Sequence, residues 1–133
     1  MSQMVATVKS IENLEQLNIV EFEFNAHVLK MMSLDLNTNI RVGKKVVLSV
    51  KPTNIALAKD LAGEISFSNQ MEATIQTLTH GKLLSSVGLA INDIVFESII
   101  TLSSAKRMNL RINDKVIMLI KASDLFILDV FDD

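Results

Sequence analysis

The sequence holds no cysteine, no tryptophan and no tyrosine, and only one proline and four glycines among its 133 residues. Without cysteine there is no disulfide, no thiolate metal site and no thiol nucleophile. Six phenylalanines are the whole aromatic content, which leaves out the Trp and Tyr platforms on which single-stranded bases stack. Thirteen Lys and Arg stand against fifteen Asp and Glu, a net charge of −2. A chain with that balance lacks the basic footprint of phosphate-backbone binding, so nucleic acid is not expected as a partner. No apolar run reaches the length of about 18 residues that a bilayer span needs, and no membrane partner is expected. The segment 1–16 has no basic stretch leading into a sustained apolar run, so it does not read as a secretory leader and a cytoplasmic protein is the expectation.

The signatures of enzymes are missing as well. No GxGxxG, GxxxxGK[ST], HExxH or GxSxG occurs, and Gly43, Gly63, Gly81 and Gly88 are too scattered to cradle a phosphate. His27 and His80 are the two histidines, and each reads more simply as a strand-edge or turn residue than as a ligand or base. No catalytic residue and no metal-ligating cluster is assigned, and the chain is read as a non-enzyme.

What is present is a 49% hydrophobic composition, ample for a core, arranged as a repeat of two. Segment 39–55 (NIRVGKKVVLSVKPTNI) recurs seventy positions later as 109–125 (NLRINDKVIMLIKASDL), with Asn39/Asn109, Arg41/Arg111, Lys45/Lys115, Val46/Val116 and Lys51/Lys121 identical. Earlier in each half, MVATVKSI at 4–11 matches MEATIQTL at 71–78, sixty-seven positions on. Two modules, 1–62 and 63–133, are the simplest parse, with three extra residues in the second between the two matched segments.

Each module reads as five short strands. In Ile19 to Phe24 the residues Val20, Phe22 and Phe24 alternate with Glu21 and Glu23, the period of a half-buried strand. Segments 4–11, 26–31, 45–50 and 55–59 complete the first set, and 71–78, 83–89, 93–102, 115–120 and 125–130 make the second. Segment 103–108 (SSAKRM) suits a single helical turn with Thr101 or Ser103 as its cap. The expected fold is all-β: two tandem, five-stranded Greek-key barrels of OB-like type, each with a short helical turn. Modules of that size bury little surface alone, so homo-oligomerisation is expected.

The polar residues that draw notice are concentrated in the second half. Thr101 and Ser104 lie where a strand gives way to a helical turn, Lys121 and Ser123 lie between two strands, and Ser66, Ser68 and Asn69 lead into the module. Donors with few competing carboxylates suit a tetrahedral oxyanion. Taken singly, each has a plainer reading: helix caps for Thr101 and Ser104, a snorkelling strand-end cation for Lys121, a linker for 66–69.

On the string ESIITLSSAKRMNLRINDKVIMLIKASDLFIL of the second half, GKKVVLSVKPTNIALAK of the first and the SxxNQ entry at 66–70, the chain resembles the molbindin family of Mop or TOBE modules, here as a tandem pair. The resemblance covers nearly the whole length. It implies OB-like barrels that bind molybdate or tungstate at interfaces between modules or subunits, for storage, homeostasis or sensing. It implies ligand roles for Thr101, Ser104, Lys121, Ala122 and Ser123, and for Ser66 with Ser68 and Asn69 beside it. The family's arginine two residues after that first serine is Ser68 here, which removes a cation. In the first half, Lys51 and Thr53 keep the pattern as a possible secondary site, Met31 and Leu34 are expected opposite Thr101 and Ser104, and Pro52 removes an N–H donor. A module that has lost its ligand and serves assembly is the alternative that these departures favour.

Overall fold

The computed structural model describes residues 2–132. Ten strands and one short helix follow in the order β1 (Ser2–Leu14), β2 (Leu17–Phe24), β3 (His27–Ser33), β4 (Lys45–Val50), β5 (Ala56–Ala58), β6 (Asn69–His80), β7 (Leu84–Ile91), β8 (Ile94–Thr101), α1 (Leu102–Arg107), β9 (Lys115–Ile120) and β10 (Phe126–Val130), with a 3-10 turn at Pro52–Asn54. Alternation sets the inner faces. Val20, Phe22 and Phe24 are buried while Glu23 is exposed, and Met71, Ala73 and Ile75 do the same in β6.

Two five-stranded antiparallel sheets result, ordered β10-β4-β1-β2-β3 and β5-β9-β6-β7-β8. The sheets do not follow the sequence halves. β5, from the first repeat, pairs with β9 through Ala56–Leu119 and Ala58–Ile117, while β10, from the second, pairs with β4 through Phe126–Ser49 and Val130–Val46. Each repeat gives its last strand to the other's sheet. A single core cluster takes Met4, Phe22, Leu48 and Ile55 together with Met71, Ile75, Phe96 and Met118, as the exchange requires.

The repeat is carried into the irregularities. β1 shifts register between Val8 and Ser10 and β6 between Ile75 and Thr77, the same place sixty-seven residues apart. Beside each bulge a left-handed residue donates its N–H back to the strand: Gly43 to the Val8 carbonyl and Asn113 to the Ile75 carbonyl, both at 2.8 Å. The left-handed φ that Asn113 adopts (77°) is one an asparagine tolerates. The bulge in β6 also explains Gly88, where an added Cβ would lie 2.0 Å from the Thr77 Oγ1. In both repeats the hairpin register is Phe24–His27 and Ile91–Ile94. Counting from there sets Leu34, not Met31, opposite Thr101, and the three extra residues fall in α1. The expectation drawn at an offset of seventy is corrected by that register.

Candidate oxyanion site

Sheet edges need partners for their free peptide groups, and the edge at β3 is closed by the other half of the chain. Asn69, at the first position of β6 and 1% exposed, accepts from the Lys30 N–H through Oδ1 at 2.6 Å and donates through Nδ2 to the Lys30 carbonyl at 2.9 Å. One turn of chain further along, the Met32 N–H donates to the Ala122 carbonyl at 2.9 Å. Asn69 and the loop joining β9 to β10 therefore sit along one strand, and they bring with them the exposed Lys121 and Ser123. Ser66 and Ser68, both exposed, lie in the segment that leads into Asn69.

The second edge, at β8, is closed more loosely. Ser2, sixty-seven positions before Asn69, accepts from the Glu97 N–H at 3.3 Å. The 3-10 turn packs against β8, where the buried Ser98 hydroxyl donates to the Ile55 carbonyl at 2.7 Å. Lys51 and Thr53, flanking Pro52, are exposed here.

Thr101 and Ser104 belong to this second edge. Thr101 Oγ1 accepts the Ser104 N–H at 3.1 Å as the cap of α1 and lies 3.3 Å from the Ser103 hydroxyl. The Ser104 hydroxyl accepts from Arg107 at 3.2 Å, which leaves its own proton available. Among the described residues no hydrogen bond joins Thr101 or Ser104 to Lys121, Ala122, Ser123, Ser66, Ser68 or Asn69. The sequence candidates thus fall on two sheet edges instead of one cluster: Asn69 and the 121–123 loop along β3, and Thr101 and Ser104 at the end of β8.

Two cations stand at these junctions that the sequence reading did not single out. Arg107 is one, and its spacing of three from Ser104 on a helical turn is a signal that could have found it. Lys30 is the other: its peptide is clamped by Asn69, and its ammonium is 3.7 Å from Glu21. No sequence pattern marks it, because the clamp comes from thirty-nine residues away.

Lys59 adds a third contact between the halves. Directly after β5, its ammonium donates to the Met108 and Asn109 carbonyls at 3.2 and 3.0 Å and pairs with Asp114 at 3.1 Å. The C-terminal end of α1 is thereby tied to the exchanged strand. The Arg111 N–H, donating to Asp114 at 2.9 Å, and Lys59 hold the Asp114 carboxyl below the ordinary carboxylate range. A folded-state value that is depressed contributes stability above the unfolded value and loses it as the pH falls through the folded one. Asp114→Asn is therefore expected to lower the melting temperature near neutrality. The gap between it and the parent should close as the pH falls through and below the ordinary carboxylate range; an equal gap at all pH values would contradict the assignment.

Among the described residues no group of three His, Asp or Glu side chains could hold a metal ion, and no helix is long and apolar enough to cross a membrane. No curated protein sequence matches the chain. Over 94% of this chain and 93% of the other, the fold superposes on a crystal structure of the cytoplasmic molybdate-binding protein ModG with molybdate bound, at a TM-score of 0.88 and 21% identity. Residues 65–127 match the TOBE domain, and the likeness to the solved structure is one of fold, all-β with two five-stranded sheets.

Proposed function

We propose that this protein binds molybdate, or tungstate, reversibly and without chemistry, as a cytoplasmic protein of storage, homeostasis or sensing and as a homo-oligomer. The reading takes the chain as a tandem of Mop modules, 1–62 and 63–133, that have exchanged their last strands. The order β4-β1-β2-β3, with β9-β6-β7-β8 repeating it, supports Greek-key connectivity in each. The observation that carries the proposal is the shared fold with a molybdate-bound protein across both modules. The donor chemistry at the junctions supports it.

At the β3 junction Lys121 supplies charge, Ser123, Ser66 and Ser68 supply hydroxyls, and Lys30 adds a second ammonium. Asn69 positions this set without touching the anion, since both ends of its amide are taken by Lys30. At the β8 junction Thr101 and Ser104 offer hydroxyl protons, with Arg107 and Lys51 as cations and Thr53 beside them. Hydrogen bonds to a charged oxygen are about twice as strong as neutral ones, and a cavity sized for a larger tetrahedron leaves donors unsatisfied around sulfate.

Titration of the purified protein with molybdate, tungstate, sulfate and phosphate tests the proposal directly. Molybdate is expected to bind and sulfate to bind at least tenfold more weakly. Lys121→Ala is expected to cost about 1.5–3 kcal/mol of binding, the range for a hydrogen bond to a charged group, or roughly tenfold or more in Kd. No heat and no shift in melting temperature with any of the four anions would sink the reading. It would leave in place the second one, an assembly module without ligand. That alternative is favoured by one set of contacts: the Thr101 and Ser104 oxygens already serve the helix cap and Arg107.

A further inference from the structure

The halves differ most where the second carries α1 and the first has only the shorter segment 34–40. In the second half the helix fills part of that space: Ala105 is 2% exposed, the Ser98 hydroxyl reaches the Ile55 carbonyl, and Lys59 holds the Met108 and Asn109 carbonyls just past the helix, while the cleft of about 550 Å³ left beside its C-terminal end is lined by the cations Lys59 and Arg107. Among the described residues the segment 34–40 has no helix and no counterpart of the Ser98 or Lys59 contacts. Met31 occupies the register position of Ser98 and has no hydroxyl to donate, no helix fills the gap, and β10 presents Asp129. A pocket of about 620 Å³ remains between the end of β3, segment 34–40 and β10.

The chemistry of its wall is specific. The floor is apolar, formed by the buried Met31, Ile40 and Leu125 with the half-buried Leu36 and Ile127. The mouth carries the exposed Asp35 and Asp129, and no lysine, arginine or histidine lines it. Among the described residues the Asp35 carboxylate has no hydrogen bond or ion pair, and Asp129 uses one oxygen to accept the Val130 N–H at 2.9 Å. An oxyanion entering here would meet two carboxylates and no cation. A neutral apolar guest would fit the floor and leave the charge at the mouth unused.

We propose that this pocket binds a small amphipathic organic cation, an ammonium on a short alkyl body, with the ammonium between Asp35 and Asp129 and the body against Met31, Ile40 and Leu125. The volume falls within the range of about 300–1,000 Å³ of small-molecule sites, which combine an apolar wall with a few polar anchors. Met31, unbranched and polarizable, adapts its shape to such a guest. The pocket shares Ser123 with the oxyanion set proposed at the β3 junction, but the ammonium's partners, Asp35 and Asp129, are not part of that set.

The test is a titration of the full chain with n-hexylammonium, followed by amide and methyl chemical shifts, with hexanoate and ethylammonium as controls. Hexylammonium is expected to shift Met31, Ile40 and Leu125 and to bind at least about tenfold more tightly than either control. The double variant Asp35→Asn/Asp129→Asn removes only exposed charges, so its melting temperature should stay within a few degrees of the parent while its hexylammonium affinity falls at least about tenfold. Equal binding of hexanoate, an unchanged affinity in the double variant, or shifts confined to other parts of the molecule would each overturn the proposal.

Discussion

Asn69→Ala is expected to lower the stability of the protein by about 2–4 kcal/mol, because the truncation leaves the N–H and the carbonyl of Lys30 without partners at a nearly closed site. An unmet buried polar group costs about 1–3 kcal/mol. Two such groups exceed what loss of one ordinary hydrogen bond would give. In a chain of this size the loss reads as a fall in melting temperature of about 6–15 °C. Asn69→Asp sharpens the test: it keeps an acceptor for the Lys30 N–H but loses the donor and buries a charge, so it should be no better than alanine. If the two substitutions cost less than about 1 kcal/mol, water replaces the amide and the junction is not clamped there. Oxyanion affinity provides a second readout, since a loosened β3 edge displaces the Ala122 carbonyl that Met32 holds and with it Lys121.

Ending the chain after Leu125 is expected to cost about as much or more, and to do so in the half of the molecule that the deletion leaves intact. Phe126 and Ile127 pair with Ser49 and Leu48, Val130 pairs with Val46, and Lys45 lies 5.4 Å from the ring centre of Phe131. Ile127 and Val130 pack against the core, and burying aliphatic side chains of that size contributes about 1.5–3 kcal/mol each when complete. Half-burial of several such groups gives about 3–5 kcal/mol in total. Hydrogen exchange distinguishes this architecture from two self-contained modules. With exchanged strands, amides of β4 that face β10 lose protection and those of β9 keep theirs. Loss of protection in β9 with β4 unchanged would show that each repeat completes its own sheet.

Much of the fold is legible in the sequence, for a physical reason. The alternation of Val20, Phe22 and Phe24 and the run Val46 to Val50 report burial, which fixes strands and faces locally, and strands were expected within a few residues of where they stand. The cap at Thr101 follows from its hydroxyl and its place before the helical turn. The destination of β5 and β10 is not written locally. Ala56 to Ala58 and Phe126 to Val130 are short apolar segments that would suit either sheet, and only the length and path of the connection decide which edge each reaches. The candidate site is legible in residue types and not in their grouping, for the same reason: the exchange places Lys121 and Ser123 beside β3 of the first repeat, whereas Thr101 caps α1 at the end of β8. Asn69 looked like a plain linker or ligand residue. Its role as an amide that imitates a strand depends wholly on the distant Lys30 peptide.

The exchanged strands also set the order in which the chain can be completed during synthesis. β4 ends at Val50 and its neighbour β10 begins at Phe126, so the first sheet waits for translation of the whole second repeat. At the usual rate of about 5–20 residues per second that interval is roughly 4–15 seconds. Throughout it the apolar segment Val46 to Val50 presents an unpaired edge, the kind of surface that nascent chains join to one another. Lys44 and Lys45, immediately before that segment, place charge at its entrance, as gatekeeping residues do beside unavoidable hydrophobic strands. A premature stop before β10 therefore releases a first sheet that lacks one strand, and a stop before β9 also releases a β5 that lacks its host.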